Sequence, residues 1–267
     1  MLDIMTQAEN AIQAYNSALS IHSANIANMS VPGYKRLNIS FQSIFEKVLN
    51  QGTAASSFGN IGGTNPEQFG QGVAVSNIAV DMSAGSTVQG DPIDLAVSGR
   101  GLFIVSVDGG NSYQYTRAGK FQISSSGSLM TTAGMQVYGL NSAGSLVPIT
   151  GLTGALSDYS WDSSGNLLQN GSSTGYQIAL TFFQNASGLA QASGTTFTET
   201  FASGPAASAQ APGGAAGSVL PNSVEQSNVF YLGETIDSLE IQRAMSGNLT
   251  VIRMASDIIS SFISKLG

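Results

Sequence analysis

At 267 residues the chain is long enough for more than one compact unit, and it carries no cysteine, which excludes disulfides, thiolate chemistry and Cys-ligated metals. Only 9% of its residues are Asp, Glu, Lys or Arg, against roughly 25% in ordinary soluble proteins. The formal net charge is -7 and no Lys or Arg falls between Phe121 and Gln242, so the basic stripe with which a nucleic-acid binder displaces counterions is missing.

From the N-terminus, Met5, Ala8, Ile12, Tyr15, Leu19, His22 and Ile26 recur at spacings of three and four. This predicts a helix over about 3–28, roughly 40 Å long, with a coiled-coil-like seam. Asp3 and Glu9 suit its positive end. Pro32-Gly33 must stop it, because proline lacks an amide donor and restricts Val31 before it, while glycine tolerates the turn. A helix of this kind is marginal without a packed face, so it is expected to be loose in the free monomer. Lys35 and Arg36, just after the turn, are then early tryptic sites, and they either hydrogen-bond carbonyls at a helix end or pair with Glu234, Asp237 or Glu240. No basic stretch precedes the helix and Asp3 interrupts any charge-free run, so no cleaved secretory signal is read. No apolar run approaches the roughly 20 residues that span a bilayer, and no membrane insertion is expected.

Phe41, Ile44, Phe45, Val48 and Leu49 form a further short amphipathic stretch, and Gln51 to Gly72 reads as a loop or extended arm. From Val73 the period changes to two. Val73 and Val75, then Ile78, Val80 and Met82, then Ile93, Leu95 and Val97 predict strands, and Leu102–Val107 a buried one. Asp108-Gly109-Gly110-Asn111 is a hairpin turn. Gly127-Ser128-Leu129, Gly144-Ser145-Leu146 and Gly165-Asn166-Leu167 repeat one turn-plus-strand unit without a fixed period, which is hairpin chemistry and not a solenoid. Tyr176–Phe183 is another strand, and Ala202–Ser218 a loop. From Ser227 the helical period returns: Met245, Asn248, Ile252, Ala255, Ile259, Phe262 and Leu266 form a second seam. Gly247 interrupts it at a cost of about 1 kcal/mol relative to Ala. The fold class expected is mixed α and β, with long terminal helices flanking a β-rich middle built of hairpins. Its parts are 1–36, an arm at 37–72, the β domain at 73–226 and the C-terminal helix at 227–267.

Catalytic and ligand-binding readings find little support. His22 is the only histidine and has no acid at i±4, so a seam residue that sets register is favoured over a metal ligand. No G-x-S-x-G elbow follows a strand. Gly99-Arg100-Gly101 precedes a strand and not a helix N-terminus, which argues for a tight turn over a phosphate loop. Asp162-Ser163-Ser164-Gly165-Asn166 lacks the closing Glu of a calcium loop, and Asp91 and Asp94 read as capping or ion-pairing residues beside Arg100. No catalytic residue, cofactor or metal is expected.

Three stretches carry a resemblance. Asn25-Ile26-Ala27-Asn28 with Pro32-Gly33-Tyr34-Lys35 resembles the N-terminal motif of bacterial flagellar rod and hook proteins. Asp91-Pro92-Ile93-Asp94-Leu95-Ala96-Val97 through Phe103, Tyr115-Thr116-Arg117-Ala118-Gly119-Lys120-Phe121 and Gly127-Ser128-Leu129 are similar to the start of that family's β domain. Ser227-Asn228-Val229 with Gln242-Arg243-Ala244 is similar to its C-terminal helix. The matches lie in family order and frame nearly the whole chain, nearest to distal rod members, with hook and proximal rod subunits as neighbours. Ala24 and Met29-Ser30-Val31 depart from the usual pattern.

The resemblance implies a structural subunit that polymerises helically, terminal helices in an inner coiled-coil layer and β domain outside. It implies contacts with neighbouring rod and hook proteins, the flagellar export apparatus and surrounding ring proteins, and a place in the basal body across the periplasm without a cleaved signal. The assembly residues it points to are Ile12, Tyr15, Leu19, Asn25, Ile26, Asn28, Pro32, Gly33, Tyr34 and Lys35, with Met245, Ile252, Ile259, Phe262 and Leu266. The composition agrees, since Ser, Thr, Asn, Gln and 32 Gly replace charge and the cores of interfaces are depleted of charge. A secreted β-rich adhesin would share that composition but not the two seams and the Pro-Gly-Tyr-Lys turn.

Overall fold

Residues 2–27 contain neither proline nor glycine, and they form the helix α1 (Leu2–Ala27). The computed structural model describes residues 2–50, 63, 65 and 67–266. The face α1 buries is Ala8, Ala11, Ala14 and Ala18, continued by His22 and Asn25. That stripe sits beside the expected seam: Ala8 and His22 belong to both, while Ile12, Tyr15, Leu19 and Ile26 are only half-buried. Alanine lets a neighbouring backbone approach closely, so the small residues go inside and the large ones flank them.

After the turn, β1 (Leu37–Asn50) and β2 (Glu67–Val80) pair as a two-stranded ribbon. The stretch read as amphipathic from Phe41, Ile44 and Phe45 is therefore strand; Leu37, Ile39 and Phe41 already alternate with Asn38, Ser40 and Gln42. Most of the expected loop Gln51–Gly72 lies outside the described residues, and its last part, from Glu67, belongs to β2. Within this unit Tyr15 packs edge-on to Phe41, with ring centroids 5.9 Å apart. The second helix, α2 (Tyr231–Leu266), is 36 residues long and starts later than Ser227, or about 54 Å at 1.5 Å per residue.

Two compact units result: one gathers residues 1–24, 38–78 and 232–267, the other 25–37 and 79–231. The second is the β body. Its centre is the strand Leu102–Ser106, buried at all five positions as its apolar run requires. Alternation sends Phe103 and Val105 into one apolar cluster and Leu102 and Ile104 into another. This strand pairs antiparallel with Gln114–Thr116 across the expected hairpin and with Gln136–Leu140 on its other side. The run Tyr176–Phe183 changes partners at Ala179: Ser172–Ile178 pairs with Gln136–Leu140, whereas Leu180–Thr181 pairs with Leu102–Ser106. The repeated Gly turns are alike, each glycine amide reaching back three residues, to Ser124 O, Asn141 O and Asp162 O.

Two short antiparallel pairs bring the end of the β segment back to its beginning. Ser218–Pro221 lies on Leu95–Ser98, and Ser223–Glu225 on Thr87–Gln89. This return places Glu225 beside residues far from it in sequence.

Candidate functional site

Residues of the first two resembling stretches meet Glu225, just ahead of the third, inside the β body. Lys35, Arg117 and Glu225 are each at most 2% exposed. Lys35 Nζ donates to Glu225 Oε1 at 2.6 Å and to the Ser83 carbonyl at 2.7 Å. Arg117 Nη1 donates to Glu225 Oε2 at 3.3 Å and to Val97 O at 3.1 Å, and Nη2 donates to Gly99 O. Gly85 N adds a donor to Glu225 Oε1 at 2.9 Å. One carboxylate thus neutralises one of two buried cations, and carbonyl dipoles take up the surplus positive charge. Burial pushes both Lys35 and Arg117 below their ordinary values, against the opposing pull of Glu225.

Backbone contacts fix the turn onto this cluster. Gly33 N donates to Glu225 O at 2.8 Å. Gly33 has φ +72°, and a Cβ there would overlap the backbone of Arg117 and Ala118, so the Pro-Gly turn needs its glycine for conformation and for clearance. Gly119, two residues beyond Arg117, lies so close to Leu95 O that a Cβ would overlap it.

Two asparagines bracket the turn. Asn25 Nδ2 donates to Leu37 O and its Oδ1 accepts Leu37 N, each at 3.0 Å, with Tyr34 OH donating to the same oxygen at 3.2 Å. Asn228 Oδ1 accepts Arg36 N at 2.7 Å, while its Nδ2 donates to Asp81 O and Ser83 O at 2.9 and 3.1 Å. The side-chain amides act like short pieces of strand and staple the exit of α1 and the approach to α2 to the β body. Lys35, with a helix-end carbonyl or Glu234, Asp237 or Glu240 as its expected partner, instead pairs with Glu225 of the strand Ser223–Glu225 and with the Ser83 carbonyl.

In the helical unit His22 Nδ1 and Glu234 Oε2 are 2.6 Å apart and both residues are buried, which ties α1 to the first turn of α2. The signal for Glu234 lies in the sequence: it stands seven residues before Ile241 and three heptads before Ala255, and these three are the buried residues of α2. Met245, Ile252 and Ile259 are half-buried, whereas Ile258, Phe262, Ile263 and Leu266 are 56–73% exposed. Of the remaining expected residues, Asn25, Gly33 and Tyr34 are buried and Asn28 and Pro32 half-buried. Arg117, Glu225 and Asn228 were not among the expected assembly residues. Glu225 could have been noticed as the single acid between Glu199 and Glu234, an isolated charge in an uncharged stretch.

The other constellations have structural roles. Asp94 accepts Asp91 N and Phe121 N at 3.0 and 3.3 Å, and burial raises its carboxyl above the ordinary value. Arg100 donates to the carbonyls of Phe183 and Gln184. Asp162 accepts the amides of Ser164 and Asn166, closing a turn. Among the described residues no group of three His, Asp or Glu side chains could hold a metal, and no helix is long and apolar enough to cross a membrane.

Comparison with known proteins matches regions that overlap the first two resembling stretches. Residues 5–35 match the family profile described as flagella basal body rod protein, and residues 96–168 that of the flagellar hook protein FlgE/F/G D1 domain. The chain is 31% identical over 264 residues to the flagellar basal-body rod protein FlgG of Caulobacter vibrioides, covering 97% of this chain and 98% of that one. It is 29% identical to FlgG of Bacillus subtilis over 99% of both. Similarity to the flagellar hook protein FlgE of Helicobacter pylori is 38% but stops at 140 residues, 52% of this chain and 19% of the relative.

Proposed function

The chain belongs to the FlgG family of flagellar basal-body rod proteins, and from that membership we propose that it builds the distal rod by helical self-assembly of its terminal helices. It is a structural subunit of the flagellar rod, assembling with neighbouring axial proteins as a polymer. Similarity runs the full length of rod proteins and only part of hook proteins, which favours rod over hook.

The observation that carries the reading is the exposed apolar side of α2. Phe262, Ile263 and Leu266 stand 64–73% exposed near its end. Covering each such side chain stabilises by about 1.5–3 kcal/mol, and surfaces of this kind mark association sites. In our reading other copies of the chain cover them, and Ile12, Tyr15, Leu19 and Ile26 of α1 join the same layer with Met245, Ile252 and Ile259. A heterologous contact that does not close produces a helical shaft. Torque then passes between subunits as packed helix surface. Within a subunit it reaches the β body through the stapled segments at Asn25–Leu37 and Glu225–Asn228. The Lys35–Glu225–Arg117 cluster resists shear there, because separating its charges would leave them unpaired in a low-dielectric interior.

The same reading has the chain exported unfolded through the flagellar export apparatus, located across the periplasm and bordered by ring proteins, with no substrate turned over. The test is concentration-dependent formation of fibres by the purified chain under the electron microscope, together with the position of the labelled protein on isolated basal bodies. Regular fibres and label in the rod are expected; monomer at all concentrations, or label confined to the hook, contradicts the reading.

A further inference from the structure

Several large rings of the β body lie inside: Phe103, Phe183 and Phe197 are at most 1% exposed. Phe201 is the opposite, at 105% the most exposed large apolar side chain among the described residues. Its turn is held firmly. Thr200 Oγ1 donates to Gly188 O at 2.6 Å and accepts the amides of Ala202 and Ser203 at 3.1 Å. Ser203 Oγ accepts Thr200 N at 2.9 Å, and Asn185 Nδ2 donates to Ala202 O at 2.9 Å. So tied, the backbone on either side of Phe201 is held, and its ring stands out from the body as an aromatic knob.

Elsewhere on the same body is a hollow of about 520 Å³ whose apolar lining is Ile123, Leu152 and Leu156, with Gln122, Ser124 and Thr153 among its polar lining. Leu156 is 40% exposed there. A space of about 150 Å³ accommodates a benzene ring, and this hollow, open to solvent, is larger than that. No charged side chain lines the hollow, and none lies in Thr200–Gly204; the two surfaces can meet without desolvating a charge.

Knob and hollow lie on different parts of the sheet. Ile123 ends the strand Phe121–Ile123, which joins the sheet through Leu129–Thr131 at Gln136–Leu140, whereas Phe201 follows Thr196–Thr198 beside the last strand of the path, Ala190–Gln191. Leu152 packs in the apolar cluster around Trp161, while Leu189 and Phe197 belong to the other. A knob and a socket at different sites form a heterologous contact, the kind that propagates into a filament when its rotation does not close a ring.

We propose that Phe201 of one subunit inserts into the Ile123–Leu152–Leu156 hollow of the next copy, giving the β bodies their own lateral contact in the polymer. This rests on the reading of the chain as a self-assembling rod subunit. Because the native chain lacks cysteine, the contact can be trapped directly. A full-length chain carrying both Phe201→Cys and Leu156→Cys is assembled, oxidised and run on a non-reducing denaturing gel. A ladder of covalent oligomers is expected; mixing the two single variants should stop at covalent dimers, and each single variant alone should stay monomeric. Phe201→Ala should keep the monomer's melting temperature and raise the concentration needed for assembly by about tenfold, as loss of a central aromatic anchor does. Polymer that forms without the ladder overturns the knob-and-socket contact and leaves the rod reading standing. Covalent dimers from Phe201→Cys alone would mean that two knobs meet, which also overturns it. Absence of any polymer from the native chain overturns both.

Discussion

The β body and α2 invert each other. In the body, Lys35, Arg117 and Glu225 are buried while Leu129, Ile149, Leu167 and Ile178 are completely covered. In α2 the apolar Ile258, Phe262, Ile263 and Leu266 face outward, and Glu234 is among its buried residues. A surface left apolar has its partner outside the molecule, and charges sealed within one have their partners inside. In the proposed reading the body holds the subunit's own stability, and the helix holds what remains for assembly.

The largest way to break this contrast is to remove the shared acid. Glu225→Ala leaves Lys35 and Arg117 buried without a carboxylate, and a loss of about 3–5 kcal/mol is expected, read as a lower urea midpoint of the β body. A midpoint unchanged within error would mean that the carbonyls of Ser83, Val97 and Gly99 suffice. Asn228→Ala should cost less, about 1–3 kcal/mol, since it strands the Arg36 amide and the carbonyls of Asp81 and Ser83 but no charge; a thermal melt beside the Glu225 variant checks the ranking.

Limited trypsin sharpens the same comparison. Arg243 and Arg253 are exposed on α2 and should be cut first, whereas Lys35, 1% exposed, should survive until the β body unfolds. This departs from the expectation drawn from the sequence, in which Lys35 and Arg36 are early tryptic sites too; early cleavage after Lys35 would restore it.

The smallest effect is on pH dependence. Burial, opposed by Glu225, holds Lys35 below its ordinary 10.5. Between that lowered value and 10.5 the unfolded chain holds more protons than the folded one, so this residue's contribution to stability rises with pH in that window. Lys35→Met should lack the rise, as urea midpoints taken at increasing pH would reveal.

What the sequence makes legible is local. Spacings of three and four without proline or glycine foretell α1, Pro32-Gly33 foretells its end, and the run Leu102–Val105 foretells the buried strand. Two local signals compete at Leu37–Asn50, where Phe41, Ile44, Phe45 and Val48 fit a helix and Leu37, Ile39 and Phe41 fit the strand that forms. On α1 the large side chains suggest a seam, but the alanines beside them are buried, because close packing rewards small residues as well as apolar ones. The charge cluster is not legible at all in one dimension: Lys35 and Glu225 are 190 residues apart, and only the return of Ser218–Glu225 onto Thr87–Ser98 brings them together.

The central claim is that α2's apolar side chains serve the polymer and not the fold, and Phe262→Asp tests it most directly. Phe262 is 65% exposed, so in the monomer the change should behave as a surface substitution within about 0.5 kcal/mol, leaving the β circular dichroism and melting temperature unchanged. In the polymer the same carboxylate would be buried unpaired at a cost of several kcal/mol, and fibre formation, with motility in the cell, should be abolished. Normal fibres from this variant, or a monomer that no longer folds, would contradict the account.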